Sequence, residues 1–591
     1  CVANLSRLAQ HVELDLREFQ GATPVEVFGY NRFAPIRDHD YQVTLAPYGF
    51  FWFELASERA QVDESPLPQL PGSMTEVLRR RAGMGRALQR WMPQRRWFAG
   101  KGRTIREVHI DDAIALDDDV ALLVVTFSFT EGDDQRYTVP IMRLAREIVS
   151  GIDSSVSGHA IASLDDGSLV VDAMSVARGA AVVFGAALRR RARRGRHGEL
   201  RGRPRRTRLA GLVDDPRDEN VLGVEQSNSS AIIDGRLIAK LVRRLEPGLN
   251  PDVELPAHLL SAGFEHVPGV AATLDVDLAG ESNPANVVVV HDAIAHESDL
   301  WVKVLDDLSL MIDMGAPFDG SGGGEPAGET SIASLLGRRT AELHRALAVT
   351  EPAPTGRKGR EPMAPEPFTL LWQRSILQTL RNSVRATQRD LRRARRGHVL
   401  DETALLQADR LDDDIDRLLE RYDELRTRKL DASRIRVHGD LHLGQILWTG
   451  SDVVFIDFEG EPGLPISQRT IKRSPLADVA GLVRSFDYAG RMAVHTARER
   501  GRVADTDAER VDEWRAAWTR ANQQALLDEY FADVGDTGLV PADDADRRLL
   551  LDVYVLVKSL YEVRYELANR PDWVEWPMSA ISDMLVPVSG R

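Results

Sequence analysis

Between residues 434 and 460 the sequence gathers polar side chains at the ends of short apolar runs. It reads Arg434-Ile-Arg-Val-His-Gly-Asp-Leu-His-Leu-Gly-Gln-Ile-Leu-Trp448, a turn at Gly450, then Val453-Val-Phe-Ile-Asp-Phe-Glu-Gly460. If the two halves pair through that turn, Asp440, Gln445 and Asp457 converge, with His438, His442 and Glu459 beside them. One carboxylate can then take or orient a proton, while another carboxylate and an amide oxygen face a hard cation. Mg²⁺ favours such oxygen donors and bridges phosphates. Phosphoryl transfer needs that division of labour. Two histidines with Asp440 could instead hold zinc, but Gln445 and the carboxylate pair favour Mg²⁺. Read singly, the histidines could be satisfied core residues and Asp457 a turn cap.

A phosphoryl-transfer site also has to hold a nucleotide. Lys240 is the only lysine between Lys101 and Lys303, in a chain of 7 lysines and 68 arginines. It lies within the apolar run Leu237-Ile-Ala-Lys-Leu-Val242, behind Gln226-Ser-Asn-Ser-Ser230. The hydroxyls and N–H groups of that loop could cover phosphates. A buried lysine needs an anionic partner; a phosphate plus a helix carboxylate such as Glu254 would serve. There is no GxxxxGK[ST] loop. There is no HRD triplet, and Ala364-Pro-Glu366 precedes the catalytic stretch instead of following it, so the full protein-kinase signature is absent.

These groups have to be carried by more than one domain. The 591 residues exceed one ordinary core. Hydrophobic residues make up 43% and charged residues 28%, a globular composition. The net charge of −15 argues against a nucleic-acid partner. No apolar run approaches the ~20 residues that span a bilayer. One cysteine, Cys1, excludes an internal disulfide framework or a cysteine-built metal site and fits a reducing compartment, so a cytoplasmic enzyme is expected.

Residues 1–56 alternate with period two between turn residues, which predicts antiparallel strands. Residues 57–72 read as a Pro-rich linker. Residues 73–150 read as a small mixed domain with strands at 105–110, 121–129 and 136–142, and a further strand is expected at 168–173. Residues 151–297 form an intermediate and nucleotide-binding part, with a hairpin turning at Asp234-Gly235. Residues 298–591 are mostly helical, with helices expected at 331–348, 367–396, 401–427, 476–498, 508–532 and 547–569. The eleven arginines of 188–208 read as a solvated surface loop.

His438-Gly-Asp-Leu-His-Leu-Gly-Gln445 and Ile456-Asp-Phe-Glu459 resemble the catalytic and metal-binding segments of small-molecule kinases of the aminoglycoside-phosphotransferase type. Within that group the chain is similar to the actinobacterial maltokinases. The likeness rests on Trp91-Met-Pro-Gln-Arg-Arg-Trp-Phe-Ala-Gly-Lys101, Gly223–Ser230, Asn250-Pro-Asp-Val-Glu254, Ser474–Ala489 and Asn569-Arg-Pro-Asp-Trp573. It covers residues 73–591. It implies an α+β fold: a protein-kinase-like two-lobe fold with an N-terminal mixed cap domain, preceded by a fragment of an all-β domain.

The resemblance also implies roles. Asp440 is the base or hydroxyl-orienting residue. Gln445 and Asp457 bind Mg²⁺. Lys240, held by Glu254, contacts the ATP phosphates, and Gln226, Ser227, Asn228, Ser229 and Ser230 cover them. Maltose is the implied acceptor and maltose 1-phosphate the product. Arg484, Tyr488, Tyr561, Glu562 and Tyr565, with His438, His442 and Glu459, are candidates to meet the sugar. The stretch Val288–Glu297, where the lobes should join, is more polar than the usual hinge. Residues 1–56 resemble the C-terminal β domain of trehalose synthase, through Asn4–Arg7, Val25–Gly29 and Tyr48–Phe53. An association with trehalose synthase is implied. Because Cys1 opens directly on a strand pattern, the expectation is a chain cut from a longer fusion, without its isomerase domain. The alternatives are a kinase for another sugar or an aminoglycoside, a non-catalytic binding module, and a bifunctional isomerase-maltokinase, which requires a longer chain.

Overall fold

The computed structural model describes residues 2–584 except 5, 7–9, 20–22, 27–35, 37–40, 46–49, 57–66, 80, 96, 102, 146–158, 206–228, 316–331, 350–362, 398 and 462. The chain divides into two units, residues 1–73 with 144–171, and residues 74–143 with 172–591.

In the first unit, Gln10–Leu14 pairs antiparallel with Tyr41–Leu45, and Thr23–Glu26 with Phe53–Ala56. Ile36, Tyr41 and Val43 form its small core, flanked by Leu14, Leu16, Phe51 and Phe53. Period-two alternation thus becomes sheet, as expected. Gln69–Leu70, inside the expected linker, is a strand parallel to Ala160–Leu164.

The second unit begins with the helices Met74–Arg79 and Ala82–Trp91, followed by three antiparallel strands, Ile105–Ala115, Val120–Phe129 and Gln135–Leu144. This cap is fixed to the following sheet through buried polar groups. Thr138 N–H donates to the Arg243 carbonyl at 2.8 Å, and Leu245 N–H to the Arg136 carbonyl at 2.9 Å. Asp112, with a side chain 0% exposed, accepts the N–H groups of Arg196, His197 and Gly198 at 2.8–3.0 Å.

The next sheet has six strands in the order Ala192–Arg194, Gly198–Pro204, Val270–Leu278, Ala285–Asp292, Leu237–Leu241, Ser229–Ile233. Asp234, Gly235 and Arg236 turn the last hairpin, in which Ile233 faces Leu237, with the first two at positive φ (52° and 62°). The arginine-rich run corrects the expectation of a surface loop. Leu200 and Gly202 are buried while Arg201 and Arg203 are exposed, a half-buried strand that the arginine count hides. At Gly202 a Cβ would run into the carbonyls of Arg189 and Ala186, so only glycine lets the chains approach.

The C-terminal part is a helical lobe around one large core. Ile332–Leu347, Leu370–Arg396, Glu402–Arg421, Leu476–Glu499, Ala508–Val534 and Asp544–Asn569 all form helices, in line with their apolar periodicity. Leu300–Asp313 is a further helix that the pattern did not mark, and Pro251–Ser261 is the helix expected to carry Glu254. Among the described residues no helix is long and apolar enough to cross a membrane.

Candidate functional site

The hairpin at Gly450 forms, but its arms are Ile446–Trp448 and Val453–Phe455. Residues beyond Arg434 are not the first arm; Ile435 makes only an isolated bridge to Arg473. The register sets Ile446 opposite Phe455, so Gln445 and Asp457 flank the same end of the hairpin. The Ile456 N–H donates to the Gln445 carbonyl at 3.0 Å, which fixes that end. Asp457 has φ 65°, a left-handed conformation uncommon for a residue with a side chain.

Lys240 reaches this end from the sheet. Its Nζ lies 2.6 Å from Asp457 Oδ1 and 3.5 Å from Asp252 Oδ2. Burial would lower the pKa of this ammonium, but Asp252, Asp457 and Glu459 hold it well above the usual lysine value. The expected Lys240–Glu254 pair is not formed. Residues 252 and 254 are two apart on the helix Pro251–Ser261, about 200° around its axis. Only one can face Lys240, and Glu254 instead takes Arg436 Nη1 at 2.5 Å. Asp252 also accepts the Phe458 N–H at 3.0 Å and lies 3.1 Å from His291 Nε2. The polar residue in the lobe-joining stretch therefore has a partner.

Ligand oxygens of Asp252, Asp457 and Glu459 lie within 4.8 Å of one another. Glu459 is pushed up to about 7, first by burial and then by the Asp457 charge. A set of hard oxygen donors with an elevated carboxyl is chemically suited to a divalent cation such as Mg²⁺. Glu459, an expected sugar contact, stands in this carboxylate cluster. Gln226, Ser227 and Asn228 lie outside the described residues, as does the Ser229 side chain. Ser230 sits directly across from Lys240 in the hairpin.

Asp440 faces the helix Asp544–Asn569. Its Oδ1 lies 3.2 Å from Lys558 Nζ. Burial acts to raise its pKa, but Lys558 and His442 outweigh burial and keep the carboxyl below its usual value. Burial depresses His442, so the ring is neutral near pH 7. Its Nδ1 accepts the Gly444 N–H at 3.1 Å, capping a short turn. The loop bearing Asp440 is held by Asp478, whose two oxygens accept the N–H groups of His438 (2.8 Å) and Gly439 (2.9 Å). His344 Nε2 lies 3.2 Å from Asp478.

The expected acceptor residues separate into two groups. His438 is 1% exposed, lies 2.9 Å from the Ile456 carbonyl and stacks on Phe458, so it supports the loop and cannot meet a sugar. Arg484 and Glu562 are buried and paired at 2.8 Å, with Asp487 2.9 Å from the same guanidinium; they form a support beneath the surface. Tyr488 donates its hydroxyl to Glu566 at 3.2 Å. Tyr561 and Tyr565 are 40% and 45% exposed and stack at 6.3 Å, with Lys558 over the Tyr561 ring. Sequence reasoning missed Asp252, Lys558 and Asp478. Lys558 had a signal, as one of few lysines on an otherwise amphipathic helix.

Three family models match the chain in order. Maltogenic Amylase, C-terminal domain covers residues 1–52, Maltokinase N-terminal cap domain 91–175, and Phosphotransferase enzyme family 319–514. A solved glucosamine kinase (crystal form B) superposes with TM-score 0.52 at 22% identity, over 82% of this chain and 95% of its own. The fold is two-lobed and kinase-like. It carries a mixed cap domain and is preceded by an all-β fragment. Glucosamine kinase from Streptacidiphilus jiangxiensis is 27% identical over 368 residues, 61% of this chain and 72% of that protein. Glucosamine kinase from Mycolicibacterium smegmatis is 25% identical over 388 residues, 64% and 82% respectively. Trehalose synthase from Pimelobacter sp. is 49% identical over 55 residues, only 10% of its length. Together these matches support a small-molecule phosphotransferase with a kinase-like fold.

Proposed function

We propose that the chain is an ATP-dependent sugar kinase. One observation carries this reading: Lys240 of the sheet is bonded to Asp457 at 2.6 Å, on the hairpin that also leads from the Asp440 loop. In this reading Lys240 is the nucleotide-binding cation and Asp457 the cation-binding carboxylate, with Asp440, on the loop before the hairpin, as the proton acceptor. In the reaction, the sugar hydroxyl oxygen forms a bond to the γ-phosphorus as the bond to the β,γ-bridging oxygen breaks. ADP leaves, and the hydroxyl proton passes to Asp440. Lys240 holds phosphate oxygens. Mg²⁺ bound by Asp457 with Gln445 or Glu459 would offset charge on the transferred group.

The two glucosamine kinase relatives make an aminohexose the first acceptor to test. Maltose is the second reading, with maltose 1-phosphate as its product. It is favoured by Lys558, an ammonium 3.2 Å from Asp440 that disfavours a second cation, and by the stacked Tyr561 and Tyr565, which offer platforms for pyranose rings. The match of residues 1–52 to an amylase C-terminal domain suits an association with a trehalose synthase under that reading. The test is ³¹P NMR of the protein with ATP and Mg²⁺, and glucosamine, glucose or maltose in parallel tubes. A new phosphomonoester signal with one sugar identifies the acceptor. No transfer to any sugar from folded protein would overturn the kinase reading.

A further inference from the structure

A cavity of about 570 Å³ lies apart from the phosphoryl-transfer residues; Asp440, Asp457 and Lys240 do not line it. Its wall carries three cations, Arg434, Arg436 and Lys472, against two carboxylates, Glu254 and Glu366. Arg436 is 3% exposed and gives Nη1 to Glu254, while its Nη2 is buried with no hydrogen-bond partner among the described residues. Arg434 pairs with Glu366 at 2.7 Å, and Lys472 stands 3.4 Å from the same carboxylate. The wall therefore holds one positive charge in excess. The rim is apolar, with Leu249 51% and Ile471 41% exposed. The volume is within the range of about 300–1,000 Å³ usual for small-molecule sites and larger than a phosphate alone requires.

We infer that this cavity is a second anion site that binds a phosphate group, with Arg436 and Arg434 as its donors and Lys472 as a further charge. Guanidinium forks match phosphate oxygens in geometry as well as charge. The phosphate can be free or carried on a sugar, whose body would lie on Leu249 and Ile471. Occupancy bears on the transfer site from two directions. Arg436 is four residues before Asp440, and its partner Glu254 shares a helix with Asp252. The inference concerns binding and stands independently of which sugar, if any, is phosphorylated.

The test is calorimetric titration with inorganic phosphate and, separately, glucose 1-phosphate, with Mg²⁺ and a non-hydrolysable ATP analogue present to fill any nucleotide-phosphate site. Saturable binding is expected. It should weaken at least tenfold in Arg434→Gln and in Leu249→Glu, the latter an exposed rim position that adds a carboxylate without touching the buried pairs. Tighter binding of glucose 1-phosphate would identify a sugar phosphate as the ligand; equal affinity would identify free phosphate. No saturable binding by the unaltered protein, or unchanged affinity in both folded variants, overturns the inference.

Discussion

Replacing Asp478 by asparagine asks whether the Asp440 loop is held by a carboxylate or by the hairpin that follows it. Asp478 is 2% exposed, in the first turn of the helix Leu476–Glu499. Its oxygens accept the N–H groups of His438 and Gly439 at 2.8 and 2.9 Å, and His344 Nε2 lies 3.2 Å away. Asparagine keeps the shape but offers one oxygen, so its NH₂ must face a backbone N–H. One charge-assisted bond of about 1.5–3 kcal/mol is lost, and a buried N–H left unpaired costs about 1–3 kcal/mol more. The expected loss is about 3–5 kcal/mol, a drop in melting temperature of roughly 6 °C or more. The loop also shifts, and a misplacement of about 1 Å costs on the order of 10²-fold in rate. ATP affinity should stay near its original value, because Lys240 and Asp252 do not contact Asp478. Burial raises the Asp478 pKa, but the His344 ring and the Gly439 N–H outweigh burial and hold it low. A depressed carboxyl stabilises the fold above the unfolded value of about 4 and loses that contribution as pH falls through the folded value. The penalty should therefore be full at pH 7 and shrink only in acid. Circular-dichroism melts with steady-state kinetics read both effects. An unchanged melt together with an unchanged kcat would refute the reasoning.

Asp440→Ala should abolish turnover while ATP binding, measured by calorimetry, changes by less than about threefold; affinity falling in step with activity would remove Asp440 from its role. Lys558→Met takes away the ammonium that helps lower the Asp440 pKa. That pKa should rise, so the acid limb of kcat/KM should move to higher pH, with a weaker sugar KM; an unmoved limb counts against the pairing. In the cap, Asp112→Asn removes a buried carboxylate that binds Arg81 and three N–H groups of the 196–198 turn. Burial opposes the low pKa of Asp112, but those N–H bonds prevail. Its stabilisation is thus present above about pH 4 and lost below, and urea midpoints at pH 7 should fall in the variant while converging with the parent in acid.

Local rules read much of this architecture. Asp234-Gly235 has positive φ at both positions and marked its hairpin; long amphipathic periods marked the C-terminal helices. The hairpin at Gly450, with Gln445 and Asp457 flanking its open end, was likewise visible, but not that Asp440 lies outside its arms. What local rules could not give was the choice of partner. Asp252 and Glu254 are both acidic and on one helical turn, and which one faces Lys240 depends on the rotation of that helix against the sheet. Asp478 lies 38 residues after Asp440 in the sequence, and nothing in the spacing says that its oxygens would reach back to two backbone N–H groups. The strands at Ala192–Arg194 and Gly198–Pro204 failed for a different reason. Arginine fills their exposed face, so composition overrode the alternation of Leu200 and Gly202.

The polar lobe-joining stretch shows how one unexpected residue becomes intelligible through a distant one. Asp252 is buried and charged, and a buried carboxylate must be surrounded by donors. Lys240 supplies one at 3.5 Å, too long to satisfy Oδ2 well, and that lysine is bonded more closely to Asp457. The Phe458 N–H serves Oδ1 at 3.0 Å. His291, 5% exposed and 3.1 Å from Oδ2, supplies the remaining contact. An apolar residue at position 291 would leave Oδ2 drawing on Lys240 alone and pull that ammonium away from Asp457. His291 thus accounts for one polar position of Val288–Glu297 through its contact with Asp252. The histidine is there because Asp252, with two competing carboxylates nearby, helps to fix the position of Lys240.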